Sequence, residues 1–122
     1  MPKQINKIVL PALLILVVVF FLKRQNAPDS EALANALKDT ITLIDVRSEG
    51  EFQSGSLEGA INIPLDELQN HVAELKNKPK IVVFCQSGGR SAQAAQLLES
   101  QGVVNVTNGG GINEVRNAMR KK

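Results

Sequence analysis

The 122-residue chain contains one cysteine, Cys85, and its neighbours are those a reactive thiol needs. Ile81-Val82-Val83-Phe84 leads into it, and Gln86-Ser87-Gly88-Gly89-Arg90-Ser91 follows. A continuous apolar run predicts a strand buried on both faces. Ser91, placed before Ala92-Gln93-Ala94-Ala95, predicts a helix N-cap. A loop bending through Gly88 and Gly89 can turn backbone N–H groups inward, and the next helix presents its own unpaired N–H groups at the same spot. Both favour thiolate over thiol, which makes Cys85 the candidate nucleophile. Arg90 adds a fixed charge and a fork of donors suited to an oxyanion.

Two plainer readings stand beside this one. An isolated cysteine is often a small apolar core residue, and a glycine loop before a helix can cradle a phosphate. The phosphate reading lacks its lysine: no GxxxxGK[ST] occurs, and none of Gln86 to Ser91 is lysine.

The elements that must position this loop are legible as alternating patterns. Residues 41–46, Ile-Thr-Leu-Ile-Asp-Val, predict a second buried strand with Asp45 at its C-terminal end. In open parallel sheets sites gather at that edge, where Cys85 also ends its strand. Asp45 then either caps the following turn or belongs to a site at that edge. Arg47 and Glu51, four apart over a short helical turn, predict an ion pair. Residues 60–63 predict a short strand ended by Pro64. Residues 65–76 predict an amphipathic helix, with Leu65, Leu68, Val72 and Leu75 at helical spacing. His71 lies on it; one histidine and one cysteine build no metal set, and His71 reads as a surface residue rather than a base for Cys85.

Downstream, a helix from Ser91 to Ser100 stops before Gly102, and residues 103–107 predict a last strand. Asn108-Gly109-Gly110-Gly111 predicts a turn able to approach the Cys85 loop, and residues 112–119 a final helix. Upstream, Asp29 or Ser30 caps a helix that carries Leu33, Ala34, Ala36 and Leu37 on one face and ends by Asp39. The alternation predicts an α/β fold, a parallel sheet with helices on both faces.

Three stretches together resemble the rhodanese family. Cys85-Gln86-Ser87-Gly88-Gly89-Arg90-Ser91 is similar to the active-site loop of its single-domain bacterial members. Leu43-Ile44-Asp45-Val46-Arg47-Ser48-Glu49-Gly50-Glu51-Phe52, continued by Gly55 to Pro64, resembles the family's first signature. Asn108-Gly109-Gly110-Gly111-Ile112 resembles its closing glycine motif, and the three keep the family order across residues 29–115. The pattern is similar to that of the small members of the phage shock protein E type. The resemblance implies a rhodanese-like three-layer sandwich, with Asp45 supporting the loop by hydrogen bonding and the Arg47–Glu51 pair bracing the chain beside it. Ser56-Leu57 stands where the family usually has His-Ile, and no tryptophan follows the glycines.

The net charge of +2 hides an uneven distribution. Lys3, Lys7, Lys23 and Arg24 flank an N-terminal apolar run; without these four, ten of the fourteen basic residues remain against twelve acidic ones. A domain of net charge −2, with no Trp or Tyr, is a poor nucleic-acid binder. Residues 8–22 are apolar throughout and predict a transmembrane signal anchor after a tail at 1–7 and before a linker at 23–28. As a helix they span roughly 22 Å of a ~30 Å hydrocarbon core. A cleaved signal peptide is the alternative, but Lys23-Arg24-Gln25-Asn26 offers no small-x-small cleavage pair. Basic residues balance across the run, so orientation rests on the resemblance, which favours the periplasmic face of a bacterial inner membrane for the domain at 29–122.

The expected function is sulfur transfer. The resemblance implies that Cys85 takes sulfane sulfur from thiosulfate or a similar small donor and passes it to a thiol acceptor, small or on a protein. Gln86, Ser87, Gly88, Gly89, Arg90 and Ser91 stabilise the persulfide, Arg90 binds the sulfite end of the donor, and no cofactor is required. Alternatives are a sulfur-carrier or sensor module with little turnover, and a phosphatase or arsenate reductase. The related phosphatases use Cys-x5-Arg, one residue longer than the Cys-x4-Arg here.

Overall fold

Side chains alternate along the central strand, and that alternation builds the layers. The computed structural model describes residues 30–37 and 40–121. Strands β1 (Thr42–Asp45), β2 (Ile61–Asn62), β3 (Ile81–Cys85) and β4 (Val106–Gly111) form a parallel sheet in the order β2-β1-β3-β4. Every residue of β3 is buried. Ile81, Val83 and Cys85 pack into one core with Ile44, Leu68, Leu75, Ala94 and Leu98. Val82 and Phe84 pack into the other with Leu33, Leu37, Leu43, Ile112 and Val115. This is why the strand reads as an unbroken apolar run rather than as alternation.

Helices α1 (Ser30–Ala36) and α5 (Ile112–Arg120) cover one face. On the other lie α4 (Gly89–Ser100), α3 (Val72–Leu75) and the 3₁₀ segment Leu65–His71 that runs into α3. The short α2 (Glu49–Gln53) follows β1 and begins with a capping box, Ser48 with Glu51. The α/β architecture with helices on both faces of a parallel sheet is the one the sequence predicts. The expected tail, transmembrane helix and linker, with Asp29, lie outside the described residues. Among the described residues no helix is long and apolar enough to cross a membrane.

Three elements differ from expectation. Residues 65–76 form a 3₁₀ segment before a single turn of α-helix. Leu65 and Leu68, three apart, align on the tighter spiral, and the Leu65 N–H is already taken by the Val46 carbonyl at 3.1 Å. The last strand starts three residues later than 103–107 implies, because Asn105 turns into the left-handed region at φ 61°. Asn108 to Gly111 is then strand rather than turn. Its register on β3 shifts between Val83, opposite Asn108, and Phe84, opposite Gly110, leaving Gly109 as a bulge. A side chain at Gly109 would stand 2.8 Å from Val115 Cγ2 and 3.0 Å from the Val83 carbonyl, so the bulge closes only around glycine.

Candidate active site

Cys85 ends β3 with its residue 1% exposed. The chain turns through Gly88, whose φ of 106° is the left-handed conformation glycine tolerates, and α4 begins at once. Gly88 is therefore the N-cap. Ser91, expected in that role, sits one turn further in, because Gly89 and Arg90 are already helical. The exchange serves the thiol. The Gly88 N–H donates to Cys85 Sγ at 3.0 Å and the Ser91 N–H at 3.4 Å, while the buried Ser91 Oγ lies 3.6 Å away. Burial pushes the Cys85 thiol up. The Ser91 hydroxyl and the N–H groups of Ser91, Gly88 and Ser87 together outweigh it and hold the thiol below its ordinary value.

β4 closes the site from the other side. Ser91 Oγ lies 3.0 Å from the Gly88 carbonyl and 3.2 Å from that of Gly110. A side chain at Gly111 would come within 2.8 Å of the Gln86 carbonyl. The close approach expected of these glycines is present, made by a bulged strand.

Asp45 is fully buried and hydrogen-bonded to Arg47 and Ser56. Its carboxylate accepts the Arg47 N–H at 2.9 Å, which caps the turn after β1. It also accepts Arg47 Nε at 3.0 Å, Arg47 Nη2 at 2.7 Å and the Ser56 hydroxyl at 2.8 Å. Arg47 carries the support onward: Nη2 donates to the Gly55 carbonyl at 2.6 Å and Nη1 to Gln86 Oε1 at 3.2 Å. Asp45 thus reaches the Cys85 loop through Arg47, and Ser56 keeps a polar contact in this network.

The expected Arg47–Glu51 pair is not formed. Ser48 is the N-cap of α2, so Arg47 lies outside the helix and shares no face with Glu51. Glu51 pairs instead with Arg90, Nη1 to Oε1 at 2.6 Å and Nη2 to Oε2 at 3.0 Å. Arg90, expected to meet the donor's sulfite end, is engaged by a carboxylate. Sequence reasoning missed Glu51 as the partner of Arg90. The available signal was the Ser48-x-x-Glu51 capping box, which fixes where that carboxylate begins. Gln86 and Gly89 lie exposed at the rim, and His71 is engaged by Glu74. Among the described residues no cluster of His, Cys, Asp and Glu could hold a metal ion.

Comparison with known proteins gives this geometry its context. The rhodanese-like domain family matches residues 29–118. The chain belongs to that family. A sulfurtransferase of Allochromatium vinosum is 36% identical over 85 residues, covering 68% of this chain and 79% of that protein. The thiosulfate sulfurtransferase PspE of Escherichia coli is 35% identical over 74 residues, covering 59% and 71%. A solved rhodanese from E. coli, described with anions, superposes with a TM-score of 0.57 at 36% identity, covering 62% of this chain and 91% of that one. This rhodanese-like chain is a sulfurtransferase. The candidate site at Cys85 has parts such chemistry uses: a thiol held towards thiolate, N–H groups converging on the sulfur, and a loop buttressed by a buried ion pair.

Proposed function

We propose that this protein is a membrane-anchored sulfurtransferase that carries sulfane sulfur on Cys85. The Cys85 thiolate attacks the outer sulfur of thiosulfate or a similar donor. With thiosulfate, the new S–S bond forms as the old one breaks, and sulfite leaves with the bonding pair. A thiophilic acceptor, a small thiol or a protein thiol, then attacks the outer sulfur of the persulfide and regenerates Cys85. The observation that carries the reading is the seat of Sγ, within hydrogen-bond reach of the Gly88 and Ser91 N–H groups at the start of α4. The same N–H groups that hold a thiolate can hold the terminal sulfur of a persulfide as charge moves outward. The short Cys-x4-Arg loop suits a single sulfur atom better than a phosphate.

The anchor is residues 8–22, an apolar run between Lys7 and Lys23-Arg24, and we place the domain on the periplasmic face of a bacterial inner membrane. Intact mass of the full chain in detergent, before and after thiosulfate, tests the chemistry. Wild type gains one sulfur atom that cyanide removes, and Cys85→Ser gains none; absence of any gain with thiosulfate, polysulfide or mercaptopyruvate overturns the reading.

A further inference from the structure

Arg90 lies in sequence between two residues, Gly88 and Ser91, whose N–H groups hold the Cys85 sulfur, and it is the cation of the loop from Gln86 to Ser91. Its fork is occupied. Both Glu51 carboxylate oxygens are engaged, one by each terminal nitrogen of Arg90, in the bidentate geometry that an oxyanion would also use. The other guanidinium beside the loop, Arg47, is taken up by Asp45, the Gly55 carbonyl and Gln86. Glu51 is held from its far side as well. The Ser48 N–H donates to its Oε1 at 3.2 Å, the Ser48 hydroxyl donates to the same oxygen at 3.0 Å, and the Glu51 N–H donates back to Ser48 Oγ at 3.2 Å. A carboxylate fixed by its own helix cap does not swing aside freely. The Arg90 fork and Ser48 also hold its carboxyl down to about 2, so it stays charged at any working pH.

We propose that Glu51 is a donor-selectivity residue: by filling the Arg90 fork it disfavours small dianionic donors such as thiosulfate relative to organic persulfides. The inference rests on the sulfur-transfer reading of Cys85. Thiosulfate presents paired oxygens on its sulfonate end, and these compete with the Glu51 carboxylate for the same donors. An organic persulfide R–S–SH presents no such group. Its outer sulfur bonds to Cys85 Sγ while its S–S bond breaks, and R–S⁻ leaves with the electron pair, so the charge on the thiolate passes to the leaving group.

The test uses the full chain in detergent and Glu51→Gln. Glutamine at this position can still close the capping box on Ser48 but carries no charge. The expected result is a roughly two- to fivefold fall in KM for thiosulfate with kcat little changed, as befits removal of one competing charge from a partly exposed ion pair. Turnover of 2-hydroxyethyl persulfide, whose R group is uncharged, should change less than twofold. Alkylation of Cys85 provides a readout that needs no sulfur transfer: the rate ratio of anionic iodoacetate to neutral iodoacetamide should rise in Glu51→Gln. If wild type forms the persulfide but the variant moves neither the thiosulfate KM nor the alkylation ratio, Glu51 is only a brace and the proposal is overturned while the sulfur chemistry stands. If no persulfide forms yet the alkylation ratio rises, the sulfur reading fails and Glu51 still controls anion access. Should Glu51→Gln lose its cooperative melt, Glu51→Asp is read instead: its shorter reach gives a smaller fall in KM, and an unchanged KM again overturns the proposal.

Discussion

Replacing Ser91 with alanine removes the one side-chain donor that, among the described residues, lies within reach of the Cys85 sulfur, and leaves the backbone donors in place. The hydroxyl has a single proton and three possible acceptors: the Gly88 carbonyl at 3.0 Å, the Gly110 carbonyl at 3.2 Å and Sγ at 3.6 Å. With a neutral thiol, the S–H donates to Oγ and the hydroxyl proton goes to a carbonyl. When the thiol ionises, that proton turns to the sulfur and a carbonyl bond is given up. The net gain to the thiolate is thus at the low end for a hydrogen bond to a charged group, about 1.5 kcal/mol, or roughly a tenfold change in the ionisation constant. The assay is the rate of Cys85 alkylation by neutral iodoacetamide against pH. Wild-type rate should rise with pH through the depressed Cys85 value and level off above it. In Ser91→Ala the midpoint moves up, and at a pH below both midpoints the rate falls about tenfold. A profile that superposes on wild type would refute the hydroxyl's role and leave the backbone N–H groups as the whole cause. Ser91→Thr, which retains the hydroxyl, should restore the wild-type midpoint if the larger side chain fits the site.

Two further outcomes follow from the packing. Asp45→Asn leaves the Arg47 guanidinium buried without its counter-charge, so urea unfolding should show a loss of about 3–5 kcal/mol, the usual result of breaking a buried pair by one partner; a loss under ~1 kcal/mol would mean that Arg47 finds water or another partner. Gly109→Ala drives a methyl group into Val115, Val82 and the Val83 carbonyl and should lower stability by about 1–3 kcal/mol, read as a fall in melting temperature. An unchanged melt would show that the β4 bulge can relax.

Much of this protein is determined locally and can be read from the chain alone. A strand buried on two faces must be apolar at every position, so residues 81–85 declare themselves whatever surrounds them. A glycine-bearing loop between that strand and a helix must bring N–H groups towards the residue that ends the strand, so the place of the candidate nucleophile follows as well. The tertiary structure decided which charges meet. Arg47 and Glu51 are four apart in sequence, yet the helix cap at Ser48 separates them: Arg47 turns back onto Asp45, and Glu51 meets Arg90, 39 positions away. Likewise, three glycines in a row suggest a turn until β3 lies beside them and pairs their backbone into a bulged strand. Periodicity and capping act over one turn or one strand, whereas an ion pair or a ladder depends on what packing brings alongside, and no local pattern records that.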